Sequence, residues 1–154
     1  MGPFVAKTIY DTMIKPITLY CYPVLSGISK TLNNKLESIQ DRAIKIIAET
    51  GGIQLDMDSI ETTRKRRMAV DVFKSLNHIC PESHNALFKR LSHDKNTRGN
   101  GSSVTLPKIR TTFGKKSFAY QGAVIYNQLD KSLRDEISLL RFKSEISKFV
   151  FKDI

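Results

Sequence analysis

The strongest constraint on the fold is a run of apolar residues at helical spacing in the segment "KTLNNKLESIQDRAIKIIAETGG". Successive members alternate four and three residues apart, and they are Leu32, Leu36, Ile39, Ala43 and Ile46. Because positions three and four apart share one face of an α-helix, the spacing predicts a helix with this face in the core. Thr31 can cap its start, and Gly51 with Gly52 can close its end. The opposite face carries charges of both signs and is expected to face solvent; its members are Lys35, Glu37, Asp41, Arg42, Lys45 and Glu49.

Helical patterns also account for most other segments of the chain. Further helices are expected over about 4–15, with a kinked or second short helix to about 26, and over about 58–77, 81–91, 115–129 and 138–152. The stretch 92–114 is rich in Asn, Gly, Ser and Pro, which predicts a long mobile basic loop with at most one short extended segment. We therefore expect a mainly α fold, a small bundle of about five to six helices. The expected segments are 1–57, 58–91, 92–114 and 115–154.

The charge of the chain points to an anionic partner. The chain contains 25 Lys and Arg residues and 15 Asp and Glu residues, which gives a formal net charge of +10. Such a field attracts polyanions, most often nucleic acid or an acidic membrane surface. No apolar run is long enough to span a membrane and no signal-peptide pattern is present, so the expected location is intracellular, nuclear or cytoplasmic, without a membrane partner.

Two basic stretches are the candidate nucleic-acid contacts. In "TRKRR", consecutive cations near a helix start oppose the helix dipole, and an anionic partner would remove that cost. The apolar face of this helix becomes basic towards its start, so its first turns are expected to project beyond the core. A solvated helix end or a nuclear localisation patch remains the alternative. The candidate residues of this stretch are Arg64, Lys65, Arg66 and Arg67.

The second basic stretch is the loop and the residues that follow it. Its cations stand among Ser, Thr and Asn side chains, which suits contact with a sugar-phosphate backbone without reading base identity. A disordered loop without a partner is the alternative. The candidate residues are Lys95, Arg98, Lys108, Arg110, Lys115 and Lys116.

The aromatic residues of "GKKSFAYQGAVIYNQL" do not predict a platform for stacking bases. At about 100° per residue, Phe118, Gly122, Ile125 and Leu129 share one helix face, whereas Tyr120 points nearly opposite Phe118. Base-stacking proteins present their rings on one surface beside cations, so core packing is the better interpretation. Gly122 is expected to let another backbone approach closely.

Neither metal binding nor catalysis is predicted. His and Cys residues cluster at positions 78–93, but their spacing matches no established zinc pairing, and we expect no metal and no other cofactor. The sequence contains no acidic motif of a two-metal polymerase or nuclease, no Gly-rich phosphate loop and no nucleophile motif. We therefore assign no catalytic residue.

The sequence resembles a known family in its order of motifs. "YDTMIKPITLYCYPVLSG", followed by the helix described first, resembles the segment just after the catalytic palm in Jockey-like reverse transcriptases of non-LTR retrotransposons. "HDKNTRGN", "LPKIRTTFGKKSFAYQGAVIYNQLD" and "SLLRFKSEISKF" are similar to later motifs of that family, in the same order. Leu25 and Tyr126 stand where the family usually has Trp, and Asp130 where it has Pro. The positions that match the first motifs are Tyr10, Pro16, Tyr20, Cys21, Gly27, Leu32, Leu36, Gln40, Ala43 and Ile47.

The resemblance implies a thumb and C-terminal region of an RNA-directed DNA polymerase, without the catalytic palm. On that basis residues 1–57 would be thumb-like, and the chain alone would not polymerise. Its partners would be the remainder of the parent polymerase and an RNA or RNA/DNA duplex, held mainly through phosphate contacts. The competing hypothesis is a helical protein-interaction or scaffold domain whose charge serves only solubility.

Overall fold

Helices account for most of the chain in the computed structural model, which describes residues 3–51, 57–91 and 102–151. The prediction of a mainly α fold is confirmed. The described residues contain no named strand, only an isolated antiparallel bridge between Arg90 and Val104. The chain forms two units, Met1–Arg64 and Lys65–Ile154, and each is described by itself.

The first unit begins with a helix that changes its winding. Helix α1 (Pro3–Ile9) runs into a π-helical turn (Tyr10–Ile14) and then into α2 (Lys15–Thr18). Cys21 has a φ of 51°, in the left-handed region, and separates α2 from α3 (Tyr22–Leu25). The predicted helix with a kinked continuation is confirmed, and the π-helical turn is an additional feature that periodicity did not indicate.

Helix α4 (Lys30–Gly51) exists as predicted, but its buried face is different. Leu32, Ile39 and Ile46 are 51%, 45% and 59% exposed, whereas Gln40 and Ile47 are buried. The predicted apolar seam is therefore wrong for these three positions, and the buried face lies one residue further along the helix.

Polar residues occupy that buried face because they find hydrogen-bond partners there. The Gln40 amide accepts a hydrogen bond from the buried Tyr10 hydroxyl at 3.0 Å and donates to the Asp58 carbonyl at 2.7 Å. A buried amide with both functions satisfied avoids the cost of desolvation. Counting apolar residues alone could not identify this face.

Helix α5 (Ile60–Leu76) starts close to the predicted position. The Ser59 hydroxyl accepts the Thr62 N–H at 3.0 Å, which is the arrangement of a capping residue. At the other end His78 has a φ of 55°, and its left-handed backbone ends the helix. Of the predicted apolar face, Met68, Ala69, Val72 and Phe73 are buried, whereas Ile79 is 54% exposed.

The rest of the second unit contains short helices. They are α6 (Glu82–Asn85), a 3₁₀ turn (Gly114–Lys116), α7 (Phe118–Asn127), α8 (Lys131–Arg134) and α9 (Leu139–Ile146). The helix predicted over 81–91 is much shorter, because the chain after α6 extends towards the bridge at Arg90. Helix α8 lies between the helices expected over about 115–129 and 138–152.

The core of the second unit is aromatic. The rings of Phe73 and Phe142 stack with centroids 4.3 Å apart, and Tyr126 lies 6.2 Å from Phe142. The predicted core face of α7 is confirmed at Gly122, Ile125 and Leu129, all buried. Tyr126 is also fully buried.

Gly122 permits the close approach that its position suggested, but the neighbours are side chains rather than a backbone. A Cβ at this position would lie 3.0 Å from both Phe88 Cζ and Val72 Cγ2. Phe88 also meets Phe118 edge-on, at 5.4 Å between centroids. Glycine therefore lets α7 lie directly against these two side chains.

Candidate nucleic-acid interface

Arg64 belongs to the interior of the first unit. Its side chain is 6% exposed, and its guanidinium donates hydrogen bonds to the Leu25 carbonyl at 3.3 Å and to Asn33 Oδ1. Burial lowers the pKa of Arg64 from its usual value, while Glu61 and Glu37 act in the opposite direction. The expectation that the first turns of α5 project beyond the core is therefore wrong at this residue, because neutral oxygens satisfy the charged group internally.

Glu37 explains how the start of α5 tolerates so many cations. Its two carboxylate oxygens accept the N–H groups of Ile60 and Glu61 at 3.1 and 3.0 Å. A carboxylate at a helix N-terminus offsets the positive end of the helix dipole and satisfies donors that the helix leaves open. The prediction of a solvated Glu37 is wrong, since this side chain is partly buried and caps a second helix.

The other cations of this stretch differ in exposure. Lys65 and Arg66 are partly buried, and Arg67 is exposed. Each of the three has an electrostatic or hydrogen-bonding interaction within the chain. The stretch "TRKRR" is therefore not a uniform basic surface, since its members range from a buried guanidinium to an exposed one.

A second group of cations lies on an irregular segment that we call the basic edge, residues 105–117. Lys108, Arg110, Lys115 and Lys116 are all exposed. The sequence from Lys95 to Leu129 contains no Asp or Glu, so the segment itself carries charge of one sign only. Lys95 and Arg98, the remaining predicted contacts of this stretch, lie outside the described residues.

The start of the basic edge is attached to the second unit at Val104, which is buried. Its N–H donates to Asn127 Oδ1 at 2.8 Å, and Asn127 Nδ2 donates to the Val104 carbonyl at 2.9 Å. On either side of Val104, Leu91 N–H donates to Ser103 O at 2.8 Å and Thr105 N–H to Lys89 O at 2.9 Å. The side chain of Asn127 thus makes the two hydrogen bonds with the Val104 backbone that a residue of a neighbouring strand would make.

Arg134 supports the residue before Val104. Its guanidinium donates to the Ser103 hydroxyl, and its carbonyl accepts the Tyr126 hydroxyl at 3.4 Å. Burial raises the pKa of Tyr126 to about 12, although Arg90 and Arg134 act against that rise. The neutral phenol is therefore the form that the fold favours.

The end of the basic edge is held by a compact turn at Gly114. The Gly114 N–H donates to Thr111 Oγ1 at 3.1 Å, and the Lys115 N–H donates to Thr111 O at 3.1 Å. A Cβ at position 114 would lie 2.4 Å from Ile109 Cγ2, so only glycine allows Ile109 to pack this closely. The side chain of Ile109 thereby holds the extended residues against the turn at Gly114.

Phe113 stands at this turn and is 87% exposed. This ring is not among the contacts that the sequence predicts. Its position between Arg110 and the two lysines of "GKK" is visible in the sequence, but its exposure is not, because an isolated Phe in a loop is equally consistent with a buried anchor.

Other candidate sites offer less. No group of three or more His, Cys, Asp or Glu residues could hold a metal among the residues that are described, and His93 lies outside them. A cavity of about 420 Å³ in the second unit is lined in part by Asp130, Glu136 and Glu145, which would repel an anion. Backbone hydrogen bonds from Ser138 and Ile137 hold the pKa of Glu136 below its usual value, so this carboxylate serves the local backbone.

No helix in the described ranges is long and apolar enough to cross a membrane. No family model, no curated protein and no solved structure matches the chain. The site must therefore be interpreted from its own chemistry.

Proposed function

We propose that this chain is a non-catalytic, nucleic-acid-gripping segment of a retrotransposon reverse transcriptase. It would bind an RNA or RNA/DNA duplex through its phosphates, in the nucleus or the cytoplasm, beside the remainder of the parent polymerase. The observation that carries the binding proposal is the basic edge, where four exposed cations occupy a stretch without carboxylates. The parentage rests on the collinear motifs described above.

The chemistry of the basic edge favours phosphate over other anions of similar charge. Four cations on an irregular segment, among exposed Thr and Ser hydroxyls, can follow a repeating backbone of negative charge. A single acidic ligand would need a concave site, which an exposed edge does not offer. Binding of this kind is independent of base sequence.

The test is a salt titration of duplex binding. With four phosphate contacts, the affinity of the wild-type protein should fall about 100-fold between about 50 and 200 mM salt. Replacement of all four cations by glutamine should remove most of that salt dependence and lower the affinity at low salt. The variant is Lys108→Gln/Arg110→Gln/Lys115→Gln/Lys116→Gln.

A matched control is Lys45→Gln/Lys148→Gln, which removes two exposed lysines that pair with Glu49 and Glu145 within their own helical turns. This control should keep the wild-type salt dependence. If the wild-type protein fails to bind duplexes at low salt, or if both variants behave alike, the basic edge is not a phosphate-binding surface.

A protein-interaction domain is the second candidate, and a specific observation favours it. The exposed residues Leu32, Ile39 and Ile46 recur every seven residues along α4, and they form an apolar stripe on a helix face that faces solvent. Such a stripe suits a helical protein partner. Affinity capture after nuclease treatment, with Leu32→Ser/Ile39→Ser as control, distinguishes the two candidates. The second candidate is favoured if the wild-type chain recovers a protein that the variant does not recover, and if the wild-type chain shows no salt-dependent duplex binding.

A further inference from the structure

Phe113 is the most exposed large apolar side chain among the described residues, at 87%. Single exposed apolar residues are common and need no explanation by themselves. Phe113 is different because of its surroundings: Arg110 precedes it by three residues, and Lys115 and Lys116 follow it by two and three. All three cations are exposed.

The backbone holds this ring in a defined turn. Phe113 has helical φ and ψ angles of −64° and −44°, and its carbonyl accepts the Lys116 N–H at 3.0 Å. In a 3₁₀ turn the side chains three residues apart lie above one another, so Phe113 and Lys116 are on the same side. Because Gly114 packs the turn against Ile109, the backbone that carries the ring is already ordered before binding.

We propose that Phe113 stacks on an unpaired nucleobase while the cations of the basic edge hold the neighbouring phosphates. The inference rests on the proposed function and deepens it. On this proposal the chain binds a duplex with a single-stranded overhang more tightly than a blunt duplex. Aromatic side chains beside cations are the general means by which proteins bind single-stranded nucleic acid without reading its sequence.

A nucleobase fits this ring better than an apolar pocket on another protein. The ring stands in a stretch without acidic residues, among cations that would each have to be desolvated in an apolar pocket. A nucleic-acid strand instead supplies a flat π-face and a negative charge at every nucleotide. The charge around Phe113 therefore complements a nucleic-acid strand.

The experiment compares two forms of one RNA/DNA duplex, blunt and with a short single-stranded overhang. Phe113→Leu keeps an apolar side chain of similar size but removes the π-face, whereas Phe113→Tyr keeps it. We expect Phe113→Leu to weaken binding of the overhang duplex about 5- to 150-fold, the range for one base stacked on an aromatic ring, and to leave binding of the blunt duplex unchanged. Phe113→Tyr should retain the wild-type affinity.

Two further measurements separate stacking from a general effect. The salt dependence of Phe113→Leu should equal that of the wild type, because no phosphate contact is lost. Photo-crosslinking of a 5-iodouridine in the overhang should label Phe113. Ile137→Ala, at a side chain that is 85% exposed beside Glu136, is the matched control and should bind both duplexes as the wild type does.

The failures of the two proposals are distinguishable. If wild type and Phe113→Leu bind the overhang duplex equally while both keep their salt dependence, the stacking proposal is wrong and the phosphate grip stands. An equal loss on blunt and overhang duplexes would also overturn stacking. No binding by the wild-type protein at low salt would overturn the proposed function and the stacking proposal together.

Discussion

The arginines of "TRKRR" and the cations of the basic edge look alike in the sequence, yet Arg64 is 6% exposed and Lys108 and Arg110 are exposed. The difference follows from the backbone that carries each group. A helix with one packed face must bury every side chain at that register, whereas an irregular segment can leave successive side chains in water. A run of cations in a sequence therefore indicates a binding surface only when it is known which of the side chains lie on a packed helix face and which lie in water.

The largest effect should come from removing the buried cation. Arg64→Ala would leave the Leu25 carbonyl and Asn33 without their donor and would open space in the first unit, so we expect a loss of about 2 to 4 kcal/mol in the free energy of unfolding. Urea denaturation measures it. Arg110→Ala, at an exposed position, should change stability by less than about 0.5 kcal/mol. Equal stability changes would mean that the two regions do not differ as described.

The next effect is a loss of stability at high pH, which follows from the burial of Tyr126. The pKa of Tyr126 is raised to about 12 in the folded protein, while the unfolded phenol keeps its ordinary value of 10.0. The stabilisation from a raised pKa is complete below pH 10 and is lost as the pH rises towards 12, by about 2 kcal/mol at pH 12.

Thermal unfolding measured from pH 8 to pH 12 tests this limit. Tyr126→Phe removes the titrating group and should lose less stability than the wild type over that range. The control Tyr20→Phe changes a side chain that is 74% exposed and should follow the wild-type pH profile. A wild-type profile for Tyr126→Phe would contradict the proposed role of burial.

A smaller effect is expected from the anchor of the basic edge. Asn127→Ala would leave the buried N–H and carbonyl of Val104 without partners, at a cost of about 1 to 2 kcal/mol in the free energy of unfolding. Because the cations themselves remain, the salt dependence of duplex binding should persist while the affinity falls. Hydrogen exchange of the Val104 N–H should accelerate, and the exposed Asn34→Ala should leave it unchanged.

The sequence was sufficient for the fold class and for most helix positions, because apolar spacing acts locally. The predicted cap of α4 is wrong, since Thr31 lies inside the helix and the Ser29 hydroxyl accepts the Leu32 N–H. The sequence also failed on the buried face of α4, where Gln40 and Glu37 lie inward with polar partners supplied by Tyr10 and by the start of α5. Those partners are distant in sequence, and a pattern of apolar residues cannot report them. The same reason explains why Arg64 was expected at the surface.

The candidate site was only partly predictable. The cations of the basic edge were chosen from composition, and their exposure agrees with that choice, although their contact with nucleic acid stays a prediction. Phe113 was missed because exposure of a single ring depends on the turn at Gly114, which is set by how Ile109 packs. A Gly directly after an aromatic residue and before two lysines was the available signal.

The two attachments of the basic edge, Asn127 at Val104 and Ile109 at Gly114, are made by residues other than its cations. Lys108, Arg110 and Lys115 can therefore be exchanged one at a time, and the grip would weaken in steps. Arg64 permits no such gradation, since its replacement disturbs helix packing. Substitutions in the basic edge should therefore change the proposed duplex binding gradually, while the interior of the first unit tolerates change much less.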